Sequence, residues 1–203
     1  MIRPPERLPE RDAAVEAMLP HVAFDGWSAR SLRAGLASAG MPADEAMLLF
    51  PGGPVDTIAV FCDLMDRRMT AAAATLTETS LTARVRAIIA LRLAMNRPHR
   101  EAIRRALGVL ALPGHGRAAA SITARTVDAI WDAAGDRSAD FSWYTKRAIL
   151  TAVYGTTLLF WLRDDGEDDA ETLAFLGRRL RDAGRIGKAR GRIDALVARL
   201  RPA

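Results

Sequence analysis

The sequence predicts an all-α fold of about ten helices. Three observations carry that expectation. Apolar residues recur at i, i+3, i+4 and i+7 along almost the whole chain, strand-like alternation is almost absent, and glycine and proline cut the pattern into helix-sized pieces. With 203 residues, half of them apolar, the chain is long enough to bury a core. The single cysteine, Cys62, leaves no intramolecular disulfide and no multi-thiolate zinc site.

Taken in order, a proline-rich arm over residues 1–10 is expected to be disordered. Val15, Met18, Leu19 and Val22 then mark a helix that Pro20 should end or kink. Gly26-Trp27 reads as a turn, and Ser28 as the N-cap of a helix to Ala39, stopped by Gly40. Pro42 suits the first turn of a short helix to about Phe50, broken by Pro51-Gly52-Gly53. Stripes at Ile58, Phe61, Cys62, Met65 and Met69, and at Leu81, Val85, Ile88, Leu91 and Met95, give two further helices, the second closed by Pro98. Ile103, Ala106, Leu107 and Leu110 carry the pattern to Pro113-Gly114, and Val127, Ile130, Trp131 and Ala134 carry it to Gly135. A helix from about Phe141 to Arg163 is apolar around most of its circumference, which places it at the centre of the bundle. The acidic run from Asp164 to Glu171 opens a helix that ends with Arg178, Arg179 and Arg181, the polarity that complements the helix dipole. Gly184 is expected to separate it from a last helix.

The net charge of +5 belongs to the tail. Residues 184–203 hold Arg185, Lys188, Arg190, Arg192, Arg199 and Arg201 against Asp194 alone, and the rest of the chain is balanced. The longest apolar stretch, Ala148 to Leu162, is interrupted by Thr151, Tyr154, Gly155, Thr156 and Thr157 and falls short of the ~20 residues of a spanning helix. The first residues show no apolar segment followed by a cleavage site, so a reducing, non-secretory compartment is expected. No enzyme, metal or cofactor is expected. His21, His99 and His115 lie in different segments, with no Glu-x-x-His pair of the di-iron kind. Gly114-His115-Gly116 follows no strand, and neither a phosphate-binding loop nor a nucleophile elbow occurs. The acidic run lacks the spacing of a calcium loop.

From about Val15 to Ile58 the chain resembles the DNA-binding end of the tetracycline-repressor family: a helix, a Gly-aromatic turn, Ser31-Leu32-Arg33, Ala39-Gly40, a short helix, Phe50-Pro51, then a long helix. Charge tests whether the function travels with the fold. DNA reading needs donors at bases and cations at phosphates. No lysine or arginine occurs from Gly40 to Pro54, and Asp44 and Glu45 stand there instead. Nucleic acid is therefore not an expected partner, and a ligand-responsive regulator of that type is kept as the alternative reading.

A more specific resemblance rests on the run from Trp131 to Arg147, with its Asp140-Phe141-Ser142-Trp143-Tyr144, together with Gly26-Trp27-Ser28 and Leu49-Phe50-Pro51-Gly52-Gly53. These segments resemble the lipid-binding accessory protein family of coenzyme Q (ubiquinone) biosynthesis, which has mitochondrial and alphaproteobacterial members. Thr is usual there at the position of Ala139 and Asn at that of Ser142. The resemblance implies a repressor-like homodimer that has lost DNA binding, holds an isoprenoid quinone lipid between its later helices, and acts with the di-iron demethoxyubiquinone hydroxylase. It also implies that Asp140, Trp143 and Tyr144 meet the hydroxylase and that the last helix touches the membrane. A bacterial member would sit in the cytoplasm, peripheral on the inner face of the cytoplasmic membrane. The implied organisation is an arm (1–10), a degenerate helix-turn-helix region (11–56), a lipid-binding and dimerisation core (57–183) and a basic amphipathic helix (184–203).

The residues bear on each role separately. Ile186, Ile193, Leu196, Val197 and Leu200 recur at helical spacing with Lys188 and Arg192 between them, a pattern suited to an anionic headgroup region and equally to packing on the bundle. The candidate lipid lining is Phe61, Met65, Met69, Ile88, Leu91 and Met95 with Val153, Leu158 and Trp161; the same stripes serve a filled core. Trp143 and Tyr144 are adjacent, so a regular helix turns one of them away from the core.

Overall fold

The computed structural model describes residues 3–136, 142–166 and 168–200, and every regular element among them is helical. The helices are α1 (Pro9–Asp25), α2 (Ala29–Ser38), α3 (Ala46–Leu49), α4 (Gly53–Ala73), α5 (Leu81–Asn96), α6 (Arg100–Leu110), α7 (Gly116–Ala134), α8 (Ser142–Trp161) and α9 (Ala170–Leu200), with 3-10 turns at Ala43–Glu45 and Arg97–His99. No single helix among the described residues is long and apolar enough to cross a membrane.

The N-terminal unit packs α1 against α2. Ser28 caps α2 as expected: its Oγ accepts from Ser31 N at 3.2 Å while Ser31 Oγ accepts from Ser28 N at 3.1 Å, a reciprocal capping box. The two helices touch at Gly35, where a Cβ would stand 2.6 Å from the Met18 backbone nitrogen. Pro20 does not end α1. The helix continues to Asp25 because Val15, Met18, Leu19 and Val22 are buried, while exposed Pro20 leaves the stranded carbonyl on the solvent side. The expected short helix after Pro42 is reduced to a 3-10 turn and the four residues of α3.

From Arg7 onward, the segment expected as a disordered arm is held in place. Residues 9 and 10 already belong to α1, and Arg7 donates to both oxygens of Asp63 at 2.8 and 2.9 Å. Arg67 joins the same carboxylate at 3.0 Å and Asp12 at 2.7 Å, so a buried acid on α4 receives two guanidinium groups. Trp27 fixes the N-terminal unit to the body, with its indole Nε1 donating to the Ala102 carbonyl at 2.8 Å and its ring 5.4 Å from that of Phe61.

In the body, α4 packs on α5 and α7, α5 on α7 and α9, and α8 on α7 and α9. The centre of the bundle is not α8, as its composition suggested. Leu150, Val153, Tyr154, Thr157 and Trp161 are buried on one side, whereas Tyr144, Ala148, Thr151, Ala152, Thr156 and Leu159 are exposed on the other. Thr151 and Thr156 return their hydroxyls to the helix's own carbonyls, at 2.8 and 2.6 Å, so this outer face carries little polar demand. Nor does Gly184 divide the last two helices. The helix α9 runs unbroken from Ala170 to Leu200.

Candidate functional site

Two hollows lie between the later helices. The first is an apolar cleft of about 200 Å³ where α5, α7, α8 and α9 meet, walled by Val85, Trp131, Ile149, Leu150, Val153 and Leu180, with Lys146 at its edge. Trp131 keeps its indole N–H buried with no hydrogen-bond partner. The second is a tighter cavity of about 70 Å³ between α4, α5, α6, α7 and α8. Phe61, Ile103, Leu107 and Leu158 supply its apolar wall, and Arg92, Asn96, Thr126 and Tyr154 its polar end.

That polar end is a buried network. Arg92 pairs with Asp66 at 2.6 Å and donates from Nε to the Tyr154 hydroxyl at 2.9 Å, while Thr126 Oγ1 donates to Asp66 at 3.1 Å. Asn96, also buried, leaves Oδ1 without a partner. Burial raises the Asp66 carboxyl above the usual carboxylate range, with Arg92 and Thr126 pulling the other way. Burial also raises the Tyr154 hydroxyl, and it pushes the Cys62 thiol up to about 12.

The nine expected lipid-lining residues divide. Val153 lines the cleft, and Phe61 and Leu158 line the tighter cavity. Met65, Met69, Ile88 and Trp161 are packed into the core instead, Trp161 beneath the Arg100 guanidinium at 4.5 Å. Leu91 and Met95 are half-buried and line neither hollow. Periodicity identifies the buried side of a helix without showing where neighbouring helices fail to meet, so it missed Trp131, Ile149 and Leu180. It also missed Arg92, although a charge set between Leu91 and Leu93 in an apolar run is a readable sign.

At the start of α8, Trp143 and Tyr144 separate as their adjacency demands. Arg147 stacks on the half-buried Trp143 ring at 3.7 Å and is itself fixed by Asp128 of α7, at 2.5 Å. Tyr144 is 71% exposed, its ring edge-on to Trp143 at 4.7 Å. Asp140 lies outside the described residues, as do the side chains of Ile186, Lys188, Arg192, Ile193, Leu196, Val197 and Leu200. Among the described residues no group of histidine, cysteine and carboxylate side chains is arranged to hold a metal.

The chain is 34% identical over 182 residues to the mitochondrial ubiquinone biosynthesis protein COQ9-A of Xenopus laevis, covering 85% of this chain and 57% of that protein. It is 32% identical to the human COQ9, over 84% of this chain and 56% of that one. The coq9 protein of Schizosaccharomyces pombe is 31% identical over 181 residues, spanning 87% of this chain and 70% of its own length. The chain belongs to the COQ9 family.

A COQ9 family model matches residues 117–187, a stretch that contains all of α7 but its first residue, all of α8 and the part of α9 that walls the cleft. The chain spans a little over half the length of the vertebrate COQ9 proteins it matches. Its fold is shared with a TetR transcriptional regulator from Nitrosomonas europaea, with a TM-score of 0.68 and 25% identity, over 87% of this chain and 99% of the regulator. The expected repressor-like architecture is thus present in a COQ9 chain.

Proposed function

We propose that this chain is a non-catalytic accessory of ubiquinone biosynthesis that holds an isoprenoid quinone intermediate at the membrane surface and assists the demethoxyubiquinone hydroxylase. The observation that carries the reading is the apolar cleft beside Trp131, within a chain whose relatives are named for ubiquinone biosynthesis. A cavity of about 150 Å³ holds one benzene. On that scale a cleft of about 200 Å³ takes about eight carbons, between one and two isoprene units. The protein therefore grips one end of a prenyl chain and leaves the rest in the bilayer.

Magnitude shows that this grip needs help. Burying about eight methylene-sized groups contributes about 6 kcal/mol. Association costs from ~4 to over 15 kcal/mol, so the chain end alone binds weakly. The amphipathic stretch after residue 184 supplies the second hold, at the membrane. The hydroxylase docks at Trp143 and Tyr144, where Arg147 braces the inner ring and leaves the outer one in solvent. The outward face of α8, with Leu159 57% exposed, supports self-association as a homodimer.

Two measurements test the reading. Organic extracts of the purified protein, compared by mass spectrometry with a mock purification, should contain a prenylated quinone; a clean extract that also stays clean after incubation with quinone-loaded vesicles overturns it. Tyr144→Ala should lower affinity for the hydroxylase at least tenfold with an unchanged melting temperature. Unchanged affinity removes the docking surface.

A further inference from the structure

Beside the apolar cleft runs a groove of about 630 Å³ with a different chemistry. It lies between the start of α5 and the first turns of α9, and Arg86, Arg178 and Arg181 line it. Among the described lining residues there is no carboxylate. The groove and the cleft share Thr82 and Leu180, so the two form one surface, charged at one end and apolar at the other.

The guanidinium groups converge on a gap in the α9 surface. A Cβ added at Gly177 would stand 3.5 Å from Arg181 Nη1 and 3.8 Å from Arg86 Nε. Two cations from separate helices thus overhang one side-chain-free position. Neither has a carboxylate within ion-pairing distance among the described residues, whereas their neighbours Arg179 and Arg185 both reach Asp182. Arg178 lies over the Phe175 ring, 5.8 Å from its centre, which keeps a third positive charge on the same stretch of helix. Like charges gathered without a counter-ion favour an anion between them, and guanidinium forks suit phosphate oxygens in particular.

We propose that this groove binds a phosphate-bearing headgroup whose apolar chain enters the cleft, so that the combined site takes an anionic amphiphile. The inference rests on the lipid reading above and supplies the head contact that the chain end alone lacks. The phosphate has two sources, a membrane phospholipid or a prenyl diphosphate. Both present an anion joined to a hydrocarbon chain, and the test separates them.

Calorimetric titration of the full chain with four probes decides the matter: geranyl diphosphate, dihexanoyl phosphatidylglycerol, geraniol and inorganic pyrophosphate. At least one charged amphiphile should bind tenfold or more tighter than both geraniol and pyrophosphate. The double variant Arg86→Gln/Arg181→Gln, altering two exposed side chains, should lose that advantage and keep the parental affinity for geraniol. Preference for geranyl diphosphate assigns the prenyl source, and preference for phosphatidylglycerol assigns the membrane. Ala183→Phe, which fills the cleft, should weaken geraniol and both amphiphiles together. Equal binding of geraniol and geranyl diphosphate, or a double variant that behaves as the parent, overturns the headgroup and leaves the lipid reading intact. Pyrophosphate binding as tightly as geranyl diphosphate overturns the joined site. If no amphiphile and no geraniol bind, the lipid reading falls and the inference with it.

Discussion

At the scale of single residues, the buried pair Asp66–Arg92 is the point where sequence reading failed most clearly and where a substitution should act hardest. Stripe counting assigns charged positions to the solvent face, but these two meet across α4 and α5, with Tyr154 of α8 completing the contact. Removing one partner of such a pair leaves an unpaired charge in a medium that cannot solvate it. Arg92→Met should therefore lower unfolding stability by about 3–5 kcal/mol in urea titration. The double variant Arg92→Met/Asp66→Leu should recover most of that loss, since neither charge then remains to be solvated. Trp27 gives the opposite lesson. Its turn was legible from Gly26-Trp27, but the bond to Ala102, 75 residues away, belongs to tertiary structure alone.

At the scale of elements, helix starts marked by local chemistry were legible and helix continuity was not. Ser28 caps the helix it precedes, and the left-handed backbone of Gly135 closes α7. Pro20 and Gly184 looked like breaks and are not; at Pro20 the burial of Val15, Met18, Leu19 and Val22 outweighs one weak position. The junction of α8 and α9 has its own pH dependence. Asp164 accepts from Thr172 N at 3.0 Å, from Thr172 Oγ1 at 2.5 Å and from Gly166 N at 3.0 Å. The Thr172 hydroxyl first, then the backbone N–H groups, hold this carboxyl below its ordinary value. Its contribution is complete above the unfolded value near ~3.9 and is lost as pH falls through the folded one. Asp164→Ala should cost about 1–3 kcal/mol at pH 7 and less at pH 2–3, read by thermal unfolding across that range. An equal cost at both pH values contradicts the assignment.

For the whole molecule, a repressor-like scaffold lacks lysine and arginine over residues 40–54, the segment where a helix-turn-helix protein meets DNA. The fold class, the helix-turn-helix outline and the family were all legible, since they rest on periodicity and on local runs such as Trp131 to Arg147. The cleft and the arginine groove were not, because each is made by residues from separate helices that only packing brings together. Where a DNA reader needs a recognition helix, this chain has four residues in α3, preceded by Asp44 and Glu45 in the 3-10 turn, and Met47 and Leu48 face solvent. Gel retardation with mixed genomic fragments at ~50 mM salt should show no shifted band, because no run of cations is present there to displace counter-ions. A shift that weakens steeply with salt would favour the regulator reading.

The unbroken course of α9 has a mechanical consequence. At about 1.5 Å per residue, its end at Leu200 stands about 28 Å along the axis from Arg181. A jointed tail would act as a tether, free to swing while the body tumbled. A continuous rod acts as a gauge. Whatever surface captures its far end sets both the standoff and the tilt of the groove at its near end, so attachment and orientation become one event.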